Sequence, residues 1–119
     1  MNLFYFLKNL KKSFSKFKNC ITVYISKENI LHNLYVYKKE YKDLLFAPVL
    51  KSNAYGHGLV EIAKILDKEN IPFFVVDSLY EANILKSRNI SKDILIIGFT
   101  LKENILNFNS SKFIFSIIS

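Results

Sequence analysis

Lys51 stands directly after the apolar run Phe46-Ala47-Pro48-Val49-Leu50 and directly before Ser52-Asn53-Ala54-Tyr55-Gly56-His57-Gly58. The apolar run has the length and bounding residues of a short strand covered on both faces. A lysine at the rim of such a strand is partly desolvated, and loss of water disfavours the ammonium form. An amine so placed can attack a carbonyl and hold it as a Schiff base. Gly56 and Gly58 allow a sharp turn or a close approach to a ligand. A helix starting near Gly58 would offer free amides to an anion. Gly56-His57-Gly58 is not the phosphate loop of nucleotide hydrolases, which needs Lys-Ser or Lys-Thr after its second glycine. On spacing alone, Lys51 stays open between this chemistry and an ordinary solvated lysine.

The other reactive side chains narrow the field. His32 and His57 are far apart in sequence and neither has a carboxylate at metal-ligand spacing, so no metal site is expected. The single cysteine, Cys20, excludes an internal disulfide and a cysteine-based zinc cage. Half of the 119 residues are apolar, which is enough for one small domain with a core. Nine lysines against Glu28 and Glu40 give residues 1–42 a charge of +7, whereas residues 43–119 balance eight bases with eight acids. Such an end can bind nucleic acid or anionic lipid. A Lys-, Asn-, Ile- and Phe-rich composition with Arg88 as the only arginine points instead to a coding bias, which argues against either partner.

The elements that must position Lys51 are read from periodicity. Residues 1–19 form a basic amphipathic N-terminal extension, with an apolar core too short for a secretory signal. No run approaches the roughly 20 apolar residues of a membrane span. Ile21 to Ile25 is strand-like. Ser26 caps the next helix, with Glu28 in its first turn and Ile30, Leu31, Leu34, Tyr37 and Tyr41 as its apolar stripe. Leu59, Ile62, Ala63 and Leu66 give the helix after the glycines one buried face, and Asn70-Ile71-Pro72 ends it. Phe73 to Val76 is a buried strand. Ser78 and Glu81 form a capping box before a helix that buries Leu79, Ala82 and Leu85 and reaches about Arg88. Ile94 to Ile97 is another strand. Thr100 and Glu103 match a second capping box, with Leu101, Ile105 and Phe108 facing inward, and Phe113 to Ile118 is the next strand. Continuously apolar strands alternating with helices predict an α/β fold with a parallel sheet. Periodicity alone does not separate an open sheet from part of a barrel.

Val49-Leu50-Lys51-Ser52-Asn53-Ala54-Tyr55-Gly56-His57-Gly58 closely resembles the cofactor-lysine signature of alanine racemases, Val-Lys-Ala-Asn-Ala-Tyr-Gly-His-Gly, with Ser52 in place of an alanine. Phe73 to Ala82, Ile94 to Gly98 and Ile21 to Leu34 are similar to the family's next strand and helix, its third strand and its opening segment. The resemblance covers roughly residues 21–119. It implies a TIM-type barrel followed by a C-terminal β domain, and it makes Lys51 the catalytic lysine that binds pyridoxal phosphate as a Schiff base. Lys51 would also be the base on one face of the substrate Cα. The opposite face would be served by a tyrosine from the partner subunit's C-terminal domain, which has no match here. Tyr55 matches the tyrosine that bonds the cofactor phosphate; the plain alternative is core packing. His57 matches a signature position that carries no catalytic role here, and His57 and Asn53 are read as hydrogen-bonding to shape the turn; Arg88 matches neither the arginine near the pyridine nitrogen nor a phosphate contact and reads as surface.

A complete (β/α)8 barrel has eight strands over about 250 residues. Strands at Phe46, Phe73, Ile94 and Phe113 make this a partial barrel of about four βα units. It is preceded by an N-terminal strand and an extra N-terminal helix. Residues 20–119 are then the first half of the cofactor-binding barrel, with the C-terminal β domain absent. Unpaired sheet edges predict marginal stability or aggregation for the 119 residues alone. The implied activity is a cytoplasmic, homodimeric racemase that interconverts L- and D-alanine for cell-wall precursors, with this chain inactive alone. Two other readings are a pyridoxal phosphate-binding barrel that racemises nothing and a non-catalytic remnant whose basic start binds an anionic partner.

Overall fold

Three short apolar segments with little besides backbone to hydrogen-bond make the sheet. The computed structural model describes residues 21–107 and 112–117. Helix α1 (Lys27–Glu40) comes first, followed by a single helical turn at Lys51–Tyr55 and helix α2 (Leu59–Leu66). Strand β1 (Phe73–Val76), α3 (Leu79–Ser87), β2 (Asp93–Ile96), α4 (Lys102–Asn107) and β3 (Phe113–Phe115) complete the order. The sheet order is β1-β2-β3, every pair parallel. Pairing continues past β2, where Gly98 N–H donates to the Asp77 carbonyl at 2.8 Å. A Cβ on Gly98 would lie 2.1 Å from that oxygen, so only glycine permits the approach.

The register sorts the strand side chains into two rows. Phe74, Val76, Ile94 and Ile96 are fully buried and share one core with Ile62, Ala63 and Leu66 of α2 and Ala82 and Leu85 of α3. Burying each of the larger side chains among them contributes about 1.5–3 kcal/mol. On the opposite face Val75 pairs with Leu95 and Leu95 with Ile114, while Val49 bridges to Val75. This second row is buried at Val75 and opens to 41% exposure at Val49 and 40% at Ile114.

Several expectations hold. All four apolar positions expected of α2 are buried. The Ser78–Glu81 capping box is formed in both directions. The Ser26 hydroxyl accepts from Asn29 N–H at 3.2 Å, and Ile30, Leu31 and Leu34 pack against the core. Tyr37 and Tyr41, expected on the same stripe, are instead exposed, their rings tilted against Phe46 with centres 5.9 and 6.5 Å away.

Others are corrected. Phe46–Leu50 is not a strand covered on both faces: it makes one parallel bridge, Val49 to Val75, and Val49 is exposed. It lies at the sheet edge, and Pro48 has no N–H to extend a ladder. Ile21 to Ile25 forms no strand among the described residues and is mostly exposed. The second capping box does not form. The Thr100 hydroxyl donates to the Gly98 carbonyl at 3.5 Å, and α4 starts at Lys102, with the Leu101 carbonyl accepting from Ile105. Leu101 is exposed rather than inward-facing. Phe108, Ile118, Cys20 and the extension 1–19 lie outside the described residues.

Candidate functional site

Leu50 seats the lysine. Its side chain is 2% exposed, and its amide donates to the Val75 carbonyl at 2.7 Å, while Val75 N–H donates to the Pro48 carbonyl at 2.9 Å. Lys51 follows immediately and is half-buried at the C-terminal end of this edge segment. Ligands of parallel α/β sheets gather at the C-terminal ends of the strands.

The turn that follows has an unexpected hand. Ser52, Asn53, Ala54 and Tyr55 have φ of 53°, 56°, 52° and 54°, so four successive non-glycine residues are left-handed. Each ordinarily costs about 1–2 kcal/mol, or roughly 4–8 kcal/mol together, asparagine being the most tolerant. Runs of this kind persist only where surrounding contacts over-determine them. Here the contacts are named. Ala54 N–H donates to Leu50 O at 2.7 Å, and Gly58 N–H donates to Asn53 O at 2.9 Å. The Asn53 side-chain oxygen accepts from Leu59 N–H at 2.8 Å. His57 Nδ1 lies 2.9 Å from the Ala54 carbonyl, and since that oxygen only accepts, Nδ1 carries the proton. Asn53 and His57 therefore shape the turn, as their positions suggested. Gly56 and Gly58 end it at φ 88° and 98°. Of the amides expected to be free for an anion at the start of α2, that of Leu59 is spent on Asn53.

Tyr55 is 62% exposed, which removes core packing as its explanation. A cleft of about 400 Å³ lies between the turn and the start of α3, lined by Ser52, Asn53, Asp77, Tyr80 and Glu81 among others. Neither Lys51 nor Tyr55 lines it. Arg88 is exposed at the C-cap of α3, as expected of a surface residue. His32 is exposed, and no three His, Cys, Asp or Glu side chains cluster for a metal among the described residues.

Sequence reasoning gave Glu81 only a capping role. In the structure its Oε1 also accepts from Ser52 N–H at 2.7 Å, while Oε2 accepts from Asp77 N–H at 3.0 Å and Ser78 N–H at 3.3 Å. Nothing in the local pattern signals the Ser52 contact, because it spans 29 residues.

The alanine racemase N-terminal domain family matches residues 25–118. The chain belongs to that family. An alanine racemase from Carboxydothermus hydrogenoformans is 40% identical over 81 residues, which are 68% of this chain and 22% of that protein. An amino-acid racemase from Enterococcus faecalis is 38% identical over 96 residues, 80% of this chain and 14% of its own length. The crystal structure of alanine racemase from Oenococcus oeni matches with a TM-score of 0.55 at 31% identity, covering 60% of this chain and 21% of that one. The chain thus spans 14–22% of the length of these racemases. No helix among the described residues is long and apolar enough to cross a membrane.

Proposed function

We propose that this chain supplies the cofactor-lysine part of a pyridoxal phosphate-dependent amino-acid racemase, with Lys51 as both Schiff-base lysine and one of two bases. The observation that carries this is the placement of Lys51, half-buried where a parallel edge segment ends and a strained turn begins, within a stretch matched by the racemase domain. The strand order supports a barrel segment. Pro48–Leu50, β1, β2 and β3 are parallel and adjacent in chain order, without the reversal that marks a doubly wound sheet. Residues 20–119 then form the first half of a (β/α)8 barrel, with residues 1–19 as an extension to it.

The residues present fit the cofactor. Lys51 offers a primary amine beside apolar Leu50, and Tyr55 holds its phenol toward solvent from the turn, within the family's register for a phosphate contact. When bound, pyridoxal phosphate serves as an electron sink for the charge that develops at the substrate Cα. Lys51 takes the proton from one face of Cα or returns it. Tyr55 fixes the phosphate end, and Asn53 and His57 hold the turn that aims both residues. The substrate is a small amino acid, with L-alanine to D-alanine as the family's reaction, carried out by a cytoplasmic homodimer of the complete protein.

The test is chemical. Pyridoxal phosphate followed by borohydride should leave a stable adduct on Lys51, mapped by peptide mass spectrometry. The Lys51→Ala chain should take no specific label. A label spread evenly over all lysines would end this reading.

A further inference from the structure

Resting on that reading of Lys51, we infer that Glu81 is a positioning residue: its carboxylate clamps the amide after the lysine to the end of β1. The contact set is unusual for a capping carboxylate. A capping box needs only the bond from Glu81 back to the Ser78 amide. Glu81 meets that need with Oε2 and extends the same oxygen to Asp77 N–H. Its other oxygen, Oε1, is given wholly to Ser52 N–H at 2.7 Å, the shortest of the three contacts. One rigid side chain thereby ties together the residue after Lys51, the residue after β1 and the N-cap of α3.

The turn explains why such a tie matters. Its other hydrogen bonds are local, running among Leu50, the turn itself and Leu59, so they fix its internal shape and reach the sheet through Leu50 alone, on the far side of Lys51 from Ser52. Four left-handed residues favour reversion to ordinary backbone angles. Reversion at Ser52 would rotate the peptide that joins it to Lys51 and redirect the lysine. The Glu81 bond opposes that rotation from a separate element, fixed in place by the buried Ala82 and Leu85 on the same helix. An ionised acceptor suits the role, since hydrogen bonds to charged groups are about twice as strong as neutral ones.

The test compares Glu81→Ala with Ser78→Ala in the whole chain. Ser78→Ala removes the hydroxyl half of the capping box, at 3.2 Å from Glu81 N–H, and leaves the Ser52 contact intact. Amide exchange at Ser52, Ala54 and Gly56 is read against the core amides of Val75 and Ile94, so that global destabilisation cancels. Glu81→Ala should speed turn exchange about tenfold relative to the core, as expected for loss of one bond to a charged acceptor. It should also raise the pyridoxal phosphate concentration that half-saturates the yellow absorbance about tenfold or more. Ser78→Ala should leave both ratios within about twofold. Glu81→Gln retains one acceptor oxygen and should fall between the two. Equal effects of Glu81→Ala and Ser78→Ala, or turn exchange unchanged in Glu81→Ala and Glu81→Gln, would overturn the inference. If Lys51 of the unmodified chain takes no label, the cofactor reading fails on its own, and the exchange ratios still decide what Glu81 does.

Discussion

Replacing Ser52 with glycine should stabilise the chain. Ser52 sits at φ 53°, ψ 49°, its side chain is exposed, and its hydroxyl makes no hydrogen bond among the described residues. Glycine enters that region freely, so the substitution relieves about 1–2 kcal/mol of strain. Against this stands the extra freedom of glycine in the unfolded chain, about 0.5–1 kcal/mol. Taken at mid-range, the two leave a net gain of about 0.75 kcal/mol. Ser52→Val places a β-branched side chain where such residues are rarest and should cost at least as much as glycine gains. Urea unfolding followed by circular dichroism measures both; with a slope near 1.5 kcal/mol/M, the glycine midpoint rises by about 0.3–0.7 M. A lowered midpoint for Ser52→Gly together with an unchanged one for Ser52→Val would show that the turn stores no strain at this position.

Other outcomes follow from single contacts. Asp67 accepts from Ser91 N–H at 2.9 Å, the Ser91 hydroxyl at 3.1 Å and Lys92 N–H at 3.1 Å, so Asp67→Ala should destabilise by about 1–3 kcal/mol, read as a lower urea midpoint. Gly98→Ala should loosen the β1–β2 end, seen as faster exchange of the Gly98 amide, because the new methyl meets the Asp77 carbonyl. Leu85→Ala empties a fully buried position and should cost about 2–5 kcal/mol on the same assay. The Glu28 carboxyl lies below its usual value of 4.5 through its own backbone hydrogen bond, then the Ser26 hydroxyl and Lys27. Its contribution is therefore present above about pH 4.5 and is lost as pH falls through the lowered value. An NMR titration of Glu28 should show its midpoint moving up in Ser26→Ala, and an unmoved midpoint would remove the hydroxyl as a cause.

The legible parts were those where one local pattern decides the outcome. Leu59, Ile62, Ala63 and Leu66 could face only one core, and Phe73 to Val76 had no polar side chain to turn outward. Ser78 and Glu81 met both requirements of a capping box. The same pattern at Thr100 and Glu103 misled, since composition does not say which residue starts a helix. Ile21 to Ile25 had strand composition but no strand beside it. The largest surprise was the hand of the Lys51–Tyr55 turn. Asn53 tolerates positive φ, but Ser52, Ala54 and Tyr55 do not advertise it, and what holds them comes partly from Glu81, distant in sequence. Lys51 was singled out because its neighbours form an unbroken signature, not because of its own chemistry.

The edge on which the lysine rides sets how it breathes. Pro48–Leu50 joins β1 through two backbone hydrogen bonds, both to Val75, whereas β1, β2 and β3 hold each other over full ladders. Fewer hydrogen bonds hold this segment than hold the three strands, although buried Leu50 must leave the core for it to open. Protease or exchange experiments should find two tiers of protection in this small chain, with the amine on the lower one. Among the described residues, the segment that carries Lys51 is thus joined to the sheet by fewer hydrogen bonds than any of the three strands.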